Sequence, residues 1–80
     1  MASYKILKQV DGLENVLKMA RHEAKKYYSK RLTDDLKEFH YQRFEAICET
    51  LETLGVVDDW CWLSNDLLQD AWEESQKCNS

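Results

Sequence analysis

No proline interrupts the 80 residues, and the only glycines are Gly12 and Gly55. Proline and glycine are the usual punctuation of loops and tight turns, so a chain almost without them has few places to reverse except between long regular segments. Apolar residues then decide which regular segment forms. From Asp11 to Arg31, Leu13, Val16, Leu17, Ala20, Ala24, Tyr27 and Tyr28 recur at steps of three and four, the spacing that lines one face of an α-helix. Asp11 followed by Glu14 has the spacing of a capping box, and the pattern predicts that the helix starts there.

A second helix is predicted from Thr33, whose hydroxyl can cap the first turn, with Asp34 and Asp35 at the positive end of the helix dipole. It runs to Gly55, a residue suited to the left-handed conformation that closes a helix. At about 100° per residue, its apolar arc sweeps from Phe39 through Leu36, Ile47 and Leu51 to Cys48 and Tyr41, more than half of the circumference. So wide an arc is normally covered on two sides, and it places this helix centrally, between the other two or between a neighbour and a second subunit. The third helical region holds Leu67, Leu68, Ala71 and Trp72. Ser64, Asn65 and Asp66 are weak helix formers, so the expected start is at Ser64, with Leu63 and Leu68 as a staple; a longer helix from Asp59, capped by Asp58, is the alternative.

The expected fold is therefore all-α. It is a small three-helix bundle, or four helices if the N-terminus or the tryptophan segment adds a turn, and self-association to a dimer is an expectation for so small a core. Residues 1–80 form a single helical domain. Its first ten residues, with Tyr4, Ile6, Leu7 and Val10 among lysines, fit a short strand or a helical turn equally well, and residues 77–80 read as a frayed tail. The 44% hydrophobic content is too high for a disordered chain.

Charge is unevenly distributed. Met1 to Arg31 carry eight Lys/Arg against three Asp/Glu, whereas Leu32 to Ser80 carry three against twelve, so net charges of +5 and −9 sum to −4. On the first helix Lys18, Arg21, His22, Lys25, Lys26 and Lys30 fall opposite the apolar stripe. On the later helices Glu38, Glu45, Glu49 and Glu52, then Asp59, Asp66, Asp70 and Glu73, form acidic stripes. Such faces are ordinarily solvated and help to set helix order by complementary charge. They also steer oppositely charged partners when one of them is a docking surface.

Trp60, Trp62 and Trp72 lie within thirteen residues and cannot easily share one core. Trp60 and Trp72 are expected as core anchors. If Asp59 to Glu74 is one helix, Trp62 falls on the acidic side with Asp66, Asp70 and Glu73, and if the segment is a turn, alternation still puts it in different surroundings from Trp60. Either geometry makes it hard to bury, and an exposed tryptophan beside carboxylates has the composition of an interface hot spot. The expected partner-binding residues are Trp62, Asp59, Asp66, Asp70 and Glu73.

Several chemistries lack their residues. His22, His40, Cys48, Cys61 and Cys78 form no metal-ligand spacing, so neither metal nor cofactor is expected. His40 reads as a hydrogen-bonded core histidine and Cys48 as a small hydrophobe without a base at helical spacing. No Gly-rich phosphate loop occurs, and catalysis is not expected. Three cysteines cannot all pair, no stretch of about 18 apolar residues could span a membrane, and no secretory layout opens the chain, which together give a cytoplasmic expectation.

The function expected from these features is protein binding, by an adaptor or an inhibitor that docks through its acidic, tryptophan-bearing half. Carboxylates there would stand where phosphates sit in the basic groove of a nucleic-acid-processing protein. Small acidic domains that block host enzymes are frequent in phages, which extends the expectation to a viral inhibitor of anti-restriction or anti-CRISPR type in a host cytoplasm. One alternative is a dimeric nucleic-acid-binding regulator using Lys18, Arg21, Lys25, Lys26 and Lys30, although a net charge of −4 weakens attraction to phosphates. The other is a structural homodimer.

Overall fold

In the computed structural model, which describes residues 4–78, three helices run in the order α1 (Leu13–Tyr27), α2 (Asp34–Thr53) and α3 (Trp60–Cys78). Every pair of helices is in contact, so the bundle is triangular and α2 is not more central than its neighbours. Its wide apolar arc is instead left partly open: Leu36 and Phe39 are exposed, while Phe44, Cys48 and Leu51 are buried. Neither a fourth helix nor a strand longer than a single bridge occurs among the described residues.

The α2 boundaries follow from local chemistry. The Thr33 hydroxyl accepts the Leu36 backbone N–H at 3.3 Å, and Gly55 sits at φ 77°, past the last turn, where a Cβ would be strained. The α1 start differs from the capping box expected at Asp11 and Glu14. Gly12 is the N-cap, at φ 82°, and no side chain caps the helix. The reason is tertiary: the preceding arm is tied to the α2–α3 connection, and the left-handed glycine turns it into the helix. The helix also stops at Tyr27, so Lys30 and Arg31 belong to the connection to α2.

The α3 start is likewise a correction. There is no break at Ser64 to Asp66; the helix is continuous from Trp60, as in the longer alternative, although the cap is Asp59 rather than Asp58. Leu63, Ser64 and Leu67 are all buried, so packing outweighs the few tenths of a kcal/mol per residue by which Ser, Asn and Asp disfavour helix. The Ser64 hydroxyl donates to the Cys61 carbonyl at 2.9 Å and so carries no unsatisfied polar group inward. At its other end the helix extends through Lys77 and Cys78, into the segment read as a tail; residues 79–80 lie outside the described residues.

Residues 4–10 form an extended arm that lies along the α2–α3 connection. Ile6 bridges Val57 in antiparallel sense; Leu7 N–H donates to the Val56 carbonyl at 2.7 Å and Asp58 N–H to the Lys5 carbonyl at 3.1 Å. The Asp58 carboxylate accepts the Lys5 N–H at 2.8 Å. These bonds satisfy backbone groups beside Val56 and Val57, two side chains buried where the chain turns from α2 into α3. Ala20 and Ala24 on α1 and Ala71 on α3 are also buried, and their small side chains let the helix backbones approach closely.

Phe44 is the largest fully buried side chain, and its removal leaves a hole that a bundle this small cannot close. Phe44→Ala is expected to cost about 3–5 kcal/mol, comparable with the whole stability of such a domain. Circular dichroism should then show no cooperative thermal transition. A variant that melts like the parent would contradict this packing.

Candidate protein-docking surface

Because α3 is unbroken, residues eleven positions apart on it share a face. At about 100° per residue, Trp62, Asp66, Asp70 and Glu73 fall within an arc of about 80°. Asp59 precedes them at the helix start, where its carboxylate accepts the Cys61 N–H at 2.8 Å and its carbonyl accepts from Leu63. Glu52, arriving from α2, accepts the Trp60 N–H at 3.1 Å. Two carboxylates at the N-terminal end of a helix dipole are favourably placed, and they also fix where Trp62 points.

Trp62 is 51% exposed. Glu73 is exposed and accepts from Gln69 at 3.1 Å, one turn away on the same helix. Asp70 is exposed, whereas Asp59 and Asp66 are half-buried. Asp66 and Asp70 sit on the flank turned toward α1, where they and Arg21 all act on the Tyr4 hydroxyl. Burial raises its pKa first, Arg21 opposes the shift, and the two carboxylates add to it. The five expected residues thus share one side of α3, with Trp62 and Glu73 facing outward and Asp66 and Asp70 beside the first helix.

The basic surface is divided in the same way. Lys25 forms an ion pair with Glu74 of α3 at 2.7 Å, and its ammonium holds the Glu74 carboxyl below the usual carboxylate range. Arg21 is half-buried beside Tyr4, Asp66 and Asp70. Lys18 is exposed, Lys26 is half-buried, and Lys30 lies beyond the helix, so the five cations do not make one continuous face of α1.

Of the two tryptophans expected in the core, Trp60 packs partly buried against it, but Trp72 is 46% exposed. On the continuous helix Trp72 falls about 120° from Trp60, off the buried stripe of Leu63, Leu67 and Ala71. It lines a cleft of 560 Å³ at the end of the bundle together with Tyr27 and Tyr28.

Sequence reasoning also passed over Glu23, a carboxylate only 8% exposed on α1. One oxygen accepts from His40 Nδ1 at 2.5 Å and the other pairs with Arg43 Nε at 3.3 Å, which ties α1 to α2. Arg43 in turn lies over the Phe39 ring, 5.6 Å from its centroid. His40 is thus half-buried and hydrogen-bonded. The available signal was Glu23 itself, a charge at helical spacing between Ala20 and Tyr27. Among the described residues no group of three or more His, Cys, Asp or Glu side chains is placed to hold a metal, and no helix is long and apolar enough to cross a membrane.

Two outcomes follow from these environments. Glu23→Ala strips a buried acceptor from two donors and should cost about 1–3 kcal/mol, whereas Glu74→Ala breaks an exposed, solvent-screened pair and should cost clearly less. Urea denaturation of both variants separates the cases, and equal losses would contradict the assignment. The second outcome concerns alkaline pH. Burial pushes the Cys48 thiol from its ordinary 9.0 up to about 12, with Glu45 and Glu49 adding to the shift, and burial raises Tyr4, Tyr28 and Tyr41 as well. Groups that hold their protons more firmly in the folded chain stabilise it fully below their unfolded values. That contribution is lost as pH climbs through the folded values. The urea midpoint should therefore fall between about pH 9 and about pH 12, and less steeply in Cys48→Ala; a flat or rising midpoint would contradict it.

Comparison with known protein families, with curated proteins and with solved structures finds no match to this chain.

Proposed function

We propose that the chain is a non-catalytic helical module that docks on a larger protein, as an adaptor or inhibitor, through the face of α3 bearing Trp62, Asp59, Asp66, Asp70 and Glu73. The observation that carries this reading is Trp62, half exposed on α3 and within the same arc of the helix as Asp66, Asp70 and Glu73. A large indole left in water is a costly use of a small domain's scarce apolar surface unless a partner covers it. The carboxylates beside it favour a partner with a basic groove and speed the encounter. A nucleic-acid-processing protein offers such a groove. An anti-restriction or anti-CRISPR type of inhibitor, made by a phage and acting in the host cytoplasm, is the version of this reading in which carboxylates occupy phosphate positions.

The competing nucleic-acid reading draws less support. Lys25 is engaged by Glu74 and Arg21 lies beside α3 carboxylates, so the cations that would meet phosphates are partly matched within the chain. A homodimer through the exposed Leu36 and Phe39 of α2 is the remaining alternative.

The test is capture of a partner from host lysate on the immobilised chain, with the captured protein identified by mass spectrometry. Trp62→Ala combined with Glu73→Lys should abolish capture, and Lys18→Glu combined with Lys26→Glu should not. All four positions lie outside the buried core, so circular dichroism should show each variant folded. The reverse pattern would replace this reading with the nucleic-acid one, and recovery of the chain's own copies alone would favour the homodimer.

A further inference from the structure

One side of α2 has the pattern of a helix-packing seam, yet it faces solvent. At about 100° per residue, Leu36, Phe39, Arg43, Ala46, Thr50 and Thr53 fall within an arc of about 100°, on the side turned away from the buried Phe44, Cys48 and Leu51. All of them are exposed, and their alternating steps of three and four continue for about 26 Å along the helix. The acidic stripe of Glu38, Glu45 and Glu52 lies about 130° round the helix from this seam. The seam itself is nearly clear of charge: Arg43 lies within it, Asp35 ends it and Glu49 flanks it. Sparse charge around exposed apolar side chains is the composition of the middle of an interface.

The seam can be covered at little cost. The Phe39 ring lies under the Arg43 guanidinium, 5.6 Å from its centroid, and meets the His40 ring edge to face at 5.5 Å, so it is held in place before any contact. The Thr50 hydroxyl donates to the Ala46 carbonyl at 2.7 Å, so covering it strands no donor. Size and charge along the seam select what covers it. Its bulky side chains, Leu36 and Phe39, stand at the N-terminal end, and its small ones, Ala46, Thr50 and Thr53, at the C-terminal end. A second α2 running antiparallel brings bulky to small. Leu36 comes level with Thr53 and the exposed Leu54 of the second copy, Phe39 with its Thr50, and Arg43 with its Ala46 and Glu49. A parallel copy would instead set Arg43 against Arg43 and Phe39 against Phe39, opposing like charges and leaving the small residues unfilled. The seam is thus complementary to itself, as a two-fold contact requires.

We propose that the chain pairs with a second copy of itself through this seam, α2 against α2, antiparallel about a two-fold axis near the middle of the helix. The pairing gives the homodimer a defined contact and orientation. Trp62 lies on α3, outside the contact, so the pair keeps two open Trp62 faces and the inference neither rests on the docking reading nor replaces it.

The test is sedimentation equilibrium of the full chain over a dilution series reaching about 1 mM, because a single helix pair is at the small end of specific interfaces. The mass should rise from 9.5 kDa to twice that value and no further. Phe39→Lys and Thr50→Glu, both at exposed positions, should each weaken association about ten-fold or more while circular dichroism stays helical. Combined in one chain they should associate more tightly than either alone, because antiparallel pairing sets each introduced ammonium against an introduced carboxylate of the other copy. A double variant weaker than both single ones would mean parallel pairing and overturn the proposal. A chain that stays monomeric throughout, growth beyond two copies, or a dimer unaffected by Phe39→Lys would overturn it as well. Should a variant unfold, amide shifts of the parent chain across the same dilution series decide: they should move along Leu36 to Leu54, and movement confined to another helix would contradict the seam. Capture of a partner through Trp62 is read separately and bears on the docking reading alone.

Discussion

Two carboxylates hold the first amides of α3: Glu52 from the end of α2 accepts from Trp60, and Asp59 accepts from Cys61. These bonds set the residue at which the helix begins, and a helix that includes Trp62 puts it in phase with Asp66, Asp70 and Glu73. Starting four residues later would leave the direction of Trp62 to a turn and break its alignment with Glu73. The same start carries Leu63, Leu67 and Ala71 inward and leaves both Trp62 and Trp72 in water. The docking surface is therefore a consequence of one local arrangement, which adjoins the buried Val56–Val57 turn and the arm bonded along it.

The opposed charges of the two halves of the chain have a structural role before any partner arrives. Lys25 meets Glu74, and Arg21 shares its surroundings with Asp66 and Asp70 across Tyr4, so complementary signs line the α1–α3 boundary. Exposed pairs of this kind are screened by water and contribute little to stability. Their larger effect is on pairing: α3 in the opposite orientation along α1 would not bring Glu74 to Lys25. Carboxylates not drawn into this boundary, Glu73 on α3 and the Glu38, Glu45 and Glu49 stripe on α2, leave the outer surface acidic.

Features governed by a few neighbouring residues were legible in the sequence. Thr33 and Gly55 bracket α2 because a hydroxyl two or three residues ahead of its amide and a residue tolerant of positive φ act locally. The three-helix architecture was legible for a similar reason, since apolar periodicity reports burial directly. Asp11 misled because an arm bonded to residues fifty positions away fixed the entry to α1 and placed Gly12 at the cap. Ser64, Asn65 and Asp66 misled because weak propensity was outweighed by the burial of their neighbours. Trp72 was expected inside on account of its size, yet helical phase put it on the rim. Trp62 and its carboxylates were legible because both readings of the segment turned it outward, whereas the cleft was not, since it assembles side chains from three helices.

The central claim is that α3 is continuous from Trp60, and backbone carbon chemical shifts across Trp60 to Leu67 test it most directly. The account predicts helical secondary shifts at every residue from Cys61 onward, with Ser64, Asn65 and Asp66 indistinguishable from the turns on either side. Coil-like values at those three residues would mean that the helix begins after them, and the face assigned to Trp62 would no longer follow.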